Sequence, residues 1–274
     1  MKRILVPTDF SETANKARDY AVQFAKESND EVILLNTHHV SYAGVRVGTT
    51  VDMDKIAYEA SEQLMNEQLE YLNLNYANIK FRPLFTSGLL VDSIRRICNI
   101  VNIDLVVMGT TGTSGFIENT LGSNTSSLVG LIKTPIIAVP LNATINFPKN
   151  ILVVNDLMIS GDEKLFLPLK EMATKKKSTL DFLFVVDDEQ KIDHKIQRIK
   201  ASNFDDKFNI QFHPLYCRNG ASVEDEIFDY INNHDVDLLT VVSHQRSFWQ
   251  NLFHNSLAKS ITKHSKLPIL ILSE

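Results

Sequence analysis

The chain has 274 residues, 44% hydrophobic and 22% charged. That is long enough to bury a large core without a disulfide or metal staple, and its two cysteines, Cys98 and Cys217, are too few and too far apart to frame one. A net charge of −5, with acidic residues outnumbering basic ones in both halves, excludes a polycation built for nucleic acid. MKRILVPTD is no secretory leader, and the longest apolar runs fall far short of the ~20 residues of a membrane span, so a cytoplasmic protein with no membrane partner is expected.

The predicted elements alternate. Lys2–Val6 reads as a short β-branched strand, and Ser11–Lys26 as a helix with Ala14, Ala17, Ala21, Phe24 and Ala25 at helical spacing and Ser11 as its N-cap. Glu31–Thr37 is a nearly continuous apolar run, the mark of a strand covered on both faces. A loop at 39–52 precedes a long helix, Met53–Tyr76. Then come a strand at Lys80–Phe85, a helix at Val91–Ile100, a strand at Asp104–Met108, a helix at Ser123–Lys133 and a strand at Ile136–Val139. The second half reads likewise, with strands near 151–154, 179–186, 210–216, 237–242 and 269–272.

The chain also repeats itself. ILVPTD (4–9) returns as ILVVND (151–156), and FRPL (81–84) as FHPL (212–215). NIDLVVMGTTG (102–112) is answered by VDLLTVVSHQR (236–246), and LIKTPIIAVP (131–140) by KHSKLPILIL (263–272). Four matches in one order indicate a duplication. The polar stretch Asn142–Lys149 is the boundary, which divides the chain into domains 1–144 and 149–274. Alternating strands and helices predict two tandem doubly wound α/β domains, each with a five-stranded parallel sheet and right-handed crossovers. Ligands of such sheets bind beyond the carboxyl ends of the strands, where the strand order reverses. In each copy that place follows strands one and four.

In the first copy strand four runs into Gly109-Thr-Thr-Gly112, and after nine residues comes Gly122-Ser123. Glycines let a backbone approach phosphate oxygens closely. The helix opening at Gly122-Ser123 offers free N–H groups, with the hydroxyls of Ser123, Thr125 and Ser126 beside them. Asp9, ending strand one, is an acceptor for ribose hydroxyls or an adenine amino group. The spacing is neither GxGxxG nor GxxxxGK[ST], so a plain glycine-rich loop is the competing reading.

VPTDFSETA (6–14), G-x2-G-x9-G-S (109–123) and IIAVP (136–140) together resemble the universal stress protein family. The resemblance covers essentially the whole chain as two tandem family domains. It implies a Rossmann-like sheet of order 3-2-1-4-5, dimerisation through the fifth strand, and binding of ATP or AMP where the glycines are kept. By matching position, Asp9 contacts adenine or ribose, flanked by Pro7 and Thr8, and the main chain at Thr37 reads the adenine edge. Met108, Gly109, Gly112, Gly122 and Ser123 hold ribose and phosphates, with Asn124 and Thr125 alongside. Asn124 departs from the small apolar residue often found there.

The second copy departs further. Ser243-His244-Gln245-Arg246 and Asn255-Ser256 stand where the glycines would be; Asp156 alone persists opposite Asp9. No second nucleotide site is expected, and the second domain is read as packing on the first, fifth strand to fifth strand, as an internal pseudo-dimer, with further homodimerisation open.

Other features are weighed against simpler accounts. His38-His39, His244 and His254 lack a matching ligand set for a metal. Lys175–Lys177 suit a helix end. Cys98 reads as a core thiol, Cys217 ends a strand, and Phe248, Trp249 and Phe253 form an aromatic cluster in a loop. Arg46, in the loop 42–50, has no fixed direction. Two functions follow: a regulatory module in the stress response that docks unknown protein partners according to bound ATP or AMP, or a slow ATPase or phosphate- or adenylyl-transferring enzyme at the same site. The enzyme would need Mg²⁺, with Ser123 or Thr125 as contacts and Glu118 as the local carboxylate.

Overall fold

The computed structural model describes residues 2–26, 30–38, 53–110, 122–155, 163–185, 193, 197, 210–215, 223–243 and 266–273. Gly112, Glu118, Arg46, His39, Asp156, Cys217, and the stretch holding His244, Trp249 and Asn255 lie outside them.

Among the described residues ten strands form one sheet. In chain order they are β1 (Arg3–Pro7), β2 (Glu31–His38), β3 (Lys80–Ser87), β4 (Leu105–Gly109), β5 (Ile136–Val139), β6 (Asn150–Asn155), β7 (Thr179–Val185), β8 (Ile210–Leu215), β9 (Leu238–Ser243) and β10 (Ile269–Ser273). Their spatial order is β3-β2-β1-β4-β5-β10-β9-β6-β7-β8. The first half thus has the order 3-2-1-4-5 of a doubly wound α/β fold, with every neighbour parallel. The second half runs the same order in mirror sequence, also parallel. The two meet where β10 pairs antiparallel with β5, Leu270 opposite Ile137. The fifth strands of the halves are therefore partners within one chain. An ion pair between Lys2 and Glu171 and the contact of Phe24 with Phe147, ring centroids 4.9 Å apart, tie the same region.

Side chains alternate across the sheet and fill two cores. Val32, Leu34 and Val153 face a layer that includes Tyr20, Met65 and Phe166. It belongs to α1 (Glu12–Lys26), α2 (Met53–Asn75) and the segment of α5 (Leu167–Lys176). Ile33, Leu35 and Val241 face Ile94, Leu128 and Ile227, from α3 (Leu90–Ile100), α4 (Ser123–Leu128) and α6 (Val223–Asn233). Helices on both faces explain why β2 reads as an unbroken apolar run.

The repeated FRPL and FHPL lie on β3 and β8, the two outer strands. Proline donates no N–H to a ladder, so it is tolerated at sheet edges, where it also blocks pairing with another chain. One correction concerns α4. The sequence predicts a helix to Lys133, yet α4 stops at Leu128 and Gly130 turns the chain with φ 69°. At the end of α5, Lys177 adopts the left-handed conformation, φ 55°, which closes the helix at the lysine triplet.

Candidate functional site

β1 and β4 lie side by side, Ile4 opposite Leu105 and Leu5 opposite Val106, so their carboxyl ends open into one cleft at the point where the strand order reverses. At the end of β1 the chain makes a compact turn. Asp9 is exposed, and its Oδ1 accepts the N–H of Ser11 at 3.0 Å. Phe10 takes φ 64°, and Ser11 caps α1 by accepting the N–H of Ala14 at 3.2 Å. Thr8 is buried; its Oγ1 accepts the N–H of Phe10, and its carbonyl accepts from Asn36 Nδ2 at 2.8 Å. Pro7 and Met108 are buried too, and the Met108 side chain belongs to the core, so only main chain at these two positions borders the cleft.

The main chain of Thr37 is set by register. The carbonyl of Leu35 points to β1, where it accepts the N–H of Thr8 at 2.8 Å. The carbonyl of His38 points to β3, where it accepts the N–H of Gly88 at 3.0 Å. Alternate residues of a strand turn their polar groups to the same side, so Thr37 shares the direction of Leu35. The pairing of β1 with β2 ends at Pro7 and Leu35. The N–H and C=O of Thr37 thus point past the end of β1, over the cleft.

The glycines have reasons that the sequence did not reveal. A Cβ on Gly109 would lie 2.5 Å from Cγ2 of Thr13 in α1, and one on Gly122 would lie 2.4 Å from the carbonyl oxygen of Thr110. Gly122 also has φ 76°, a left-handed conformation suited to glycine. Both positions are thus required by the chain's own packing. Gly122 caps α4; Ser123 and Asn124 stand exposed at its first turn. Thr125 is buried, and among the described residues its Oγ1 has no hydrogen-bond partner. Such an orphan hydroxyl costs free energy unless something satisfies it. The structure brings Asp9, Thr37, Gly109, Gly122 and Ser123 to one end of the sheet; Gly112 lies outside the described residues.

Sequence reasoning missed Asn36, a polar residue closing an apolar run, which pins the end of β1 to β2 while its buried Oδ1 has no partner among the described residues. It also missed a cavity of about 500 Å³ on the β3 side of Thr37. His38, Tyr58 and Phe85 form its aromatic wall, with His38 stacked on Phe85 at 5.7 Å and tilted on Tyr58 at 5.0 Å. Among the described residues no group of three His, Cys, Asp or Glu is placed to hold a metal, and no helix is long and apolar enough to cross a membrane. Cys98 is partly buried against the α3–α4 side core, and burial pushes its thiol pKa up.

The model of the universal stress protein family matches residues 1–140. The chain belongs to that family. Universal stress protein MJ0577 of Methanocaldococcus jannaschii is 27% identical over 154 residues, covering 50% of this chain and 94% of that protein. Universal stress protein MJ0531 of the same organism is 27% identical over 144 residues, covering 50% and 81%. The crystal structure of a universal stress protein from Archaeoglobus fulgidus superposes with TM-score 0.73 at 18% identity, over 99% of this chain and 96% of that one. That likeness extends the family's fold to both halves.

Proposed function

We propose that this universal stress protein binds one adenine nucleotide, ATP or AMP, in the cleft above β1 and β4 and serves as a regulatory module. The observation that carries this reading is the direction of the Thr37 main chain, whose donor and acceptor point over the cleft as a pair that an adenine edge would complement. Asp9 would take ribose hydroxyls with its exposed carboxylate. The N–H groups at Ser123 and Asn124 would face phosphate oxygens, and the orphan hydroxyl of Thr125 fits a ligand oxygen in the same place. Ser123, exposed at the start of α4, would be the contact for Mg²⁺ if the nucleotide carries one. What the protein supplies is binding and orientation. The nucleotide would bias which surface is presented to a protein partner.

The chain is proposed to divide into domains 1–144 and 149–274, with the site in the first. In the second copy the pairing of β6 with β9 puts Val242, rather than Ser243, at the place of Gly109, and no glycine follows Gly220 in the sequence, which argues for one nucleotide per chain. The test is to denature freshly purified protein and to identify and count the released nucleotide by mass spectrometry. About one intact ATP or AMP per chain is expected. Two per chain would overturn the single site, and none, together with no thermal shift on adding ATP, would overturn the reading.

A further inference from the structure

α2 carries an apolar face that no described residue covers. The helix spans Met53–Asn75, about 34 Å at 1.5 Å per residue. It buries Met65 and Leu72 against the sheet. On another face Ile56, Leu64, Tyr71 and Leu74 are exposed, Leu74 to 79% and the others to 43–51%. At 100° per residue these four fall within an arc of about 80°. Single exposed apolar residues are ordinary, but a row of four on one helix face marks an interaction surface.

Charge selects the occupant. α2 carries Asp54, Glu59, Glu62, Glu67 and Glu70 against Lys55 alone, and Lys55 lies 3.8 Å from Glu59. Glu67 lies within the apolar arc, and Glu59 and Glu70 run along one border of it. From α1, Arg18 is held by Asp19 and Asn15 and lies 5.9 Å from the centre of the Tyr71 ring, and Lys26 lies 4.6 Å from that of Tyr76, just past the helix end. An acidic face repels a second α2, an anionic lipid surface and nucleic acid alike. It attracts a basic segment that presents apolar residues at helical spacing. The stripe from Ile56 to Leu74 is about 27 Å long, the length of an 18-residue helix.

We propose that the outer face of α2 docks a basic amphipathic helix of a partner protein. Ile56, Leu64, Tyr71 and Leu74 meet its apolar face, and Glu59, Glu67 and Glu70 meet its lysines or arginines. The surface is separate from the nucleotide cleft, so it stands or falls independently of the nucleotide reading.

The test titrates the full chain into a fluorescein-labelled 18-residue Leu/Lys peptide of helical amphipathic pattern and follows anisotropy. A scrambled peptide of the same composition is the control. Saturable binding is expected, at least tenfold weaker for the scrambled peptide and at least tenfold weaker for Leu64→Ser/Leu74→Ser. Glu67→Gln/Glu70→Gln, which keeps the apolar row, should weaken it severalfold and flatten its salt dependence. Both variants change exposed side chains, and their melting curves should match the parent's. The proposal is overturned if the two peptides bind alike, or if Leu64→Ser/Leu74→Ser binds as the parent does. It is also overturned if light scattering finds a dimer that this variant dissociates, since a second copy would then occupy the stripe.

Discussion

The two ends of the same strands are built on opposite principles. At the amino end of β1, β2 and β3 the charged groups are drawn together. The buried carboxylate of Glu31 receives Arg3 at 3.3 Å, Lys80 at 3.0 Å and Arg82 at 3.3 Å, one cation from β1 and two from β3. Asp104 and Asp30 accept the N–H groups of Arg3 and Lys2. At the carboxyl end groups are left over: the main chain of Thr37 points past the end of β1, and Asn36 Oδ1 and Thr125 Oγ1 are buried without partners among the described residues. A sheet whose register is locked at one end can leave polar groups unsatisfied at the other. The ion-pair cluster and the proposed nucleotide site thus lie at opposite ends of the strand axis, and that division can be attacked from either side.

The largest effect is expected where both demands meet. Gly122→Val places a β-branched residue at φ 76° with its Cβ against the Thr110 carbonyl. Strain and overlap should destabilise the fold by about 3 kcal/mol and abolish nucleotide binding, as read from urea midpoints and isothermal titration. If stability is unchanged, the packing reason given for this glycine is wrong.

Glu31→Gln should act at the amino end alone. Losing the charge shared by three half-exposed cations should cost about 2 kcal/mol, with nucleotide affinity unchanged within twofold. The pH dependence follows the same carboxylate. Burial would raise its pKa, but the hydrogen bond from Lys80 and the charges of Arg82, Lys80 and Arg3 outweigh burial and hold it below the ordinary 4.5. Its contribution is therefore present above pH 4.5 and is lost as pH falls through the lowered value. Urea unfolding of the parent between pH 6 and 3 should show this loss, and the Glu31→Gln protein should show a shallower slope there. Parallel slopes would mean that the cluster adds nothing.

Asp9→Asn keeps an oxygen to accept the N–H of Ser11 and removes the charge. Stability should change by less than about 0.5 kcal/mol, while nucleotide affinity should fall about tenfold, or about 1.4 kcal/mol. A loss of stability as large as the loss of binding would assign Asp9 to the fold. The smallest and sharpest change is Thr125→Val, which deletes the orphan hydroxyl at nearly constant shape. The empty protein should be equally or more stable by about 1 kcal/mol, and affinity should drop a fewfold. Unchanged affinity would remove Thr125 from the site.

Much of this architecture was legible in the sequence because it depends on local periodicity. The alanines of α1 recur at helical spacing, Val32–Leu35 is apolar throughout, and Ser11 and Asp9 stand where a strand must hand over to a helix. The repeats located β6, β8, β9 and β10 of the second half, and the apolar run at 179–186 located β7. The proposed site was legible in part: Asp9, Gly109, Gly122 and Ser123, which the structure gathers at one end of the sheet, stand out by type and position. Thr37 does not, because what matters there is the direction of its main chain, which depends on β2 continuing beyond β1. Asn36 was missed for a related reason, since a single amide closing an apolar run looks like the start of a loop. The predicted length of α4 failed because Gly130 interrupts a segment whose composition alone would carry on to Lys133.

The chain by itself determined the alternation of strands and helices, the order of strands in its first half through the family resemblance, and the residues gathered at the cleft. Those properties follow from side-chain pattern and connection length, which are local. The family resemblance also anticipated that the fifth strands, β5 and β10, would meet; the tertiary structure decided that FRPL and FHPL sit on the two outer strands, and that Gly109 and Gly122 are glycines because Thr13 and Thr110 occupy the space beside them. It also decided that α2 turns its apolar row outward. These depend on which surfaces meet across long stretches of chain, and a one-dimensional pattern carries no distance between residues so far apart.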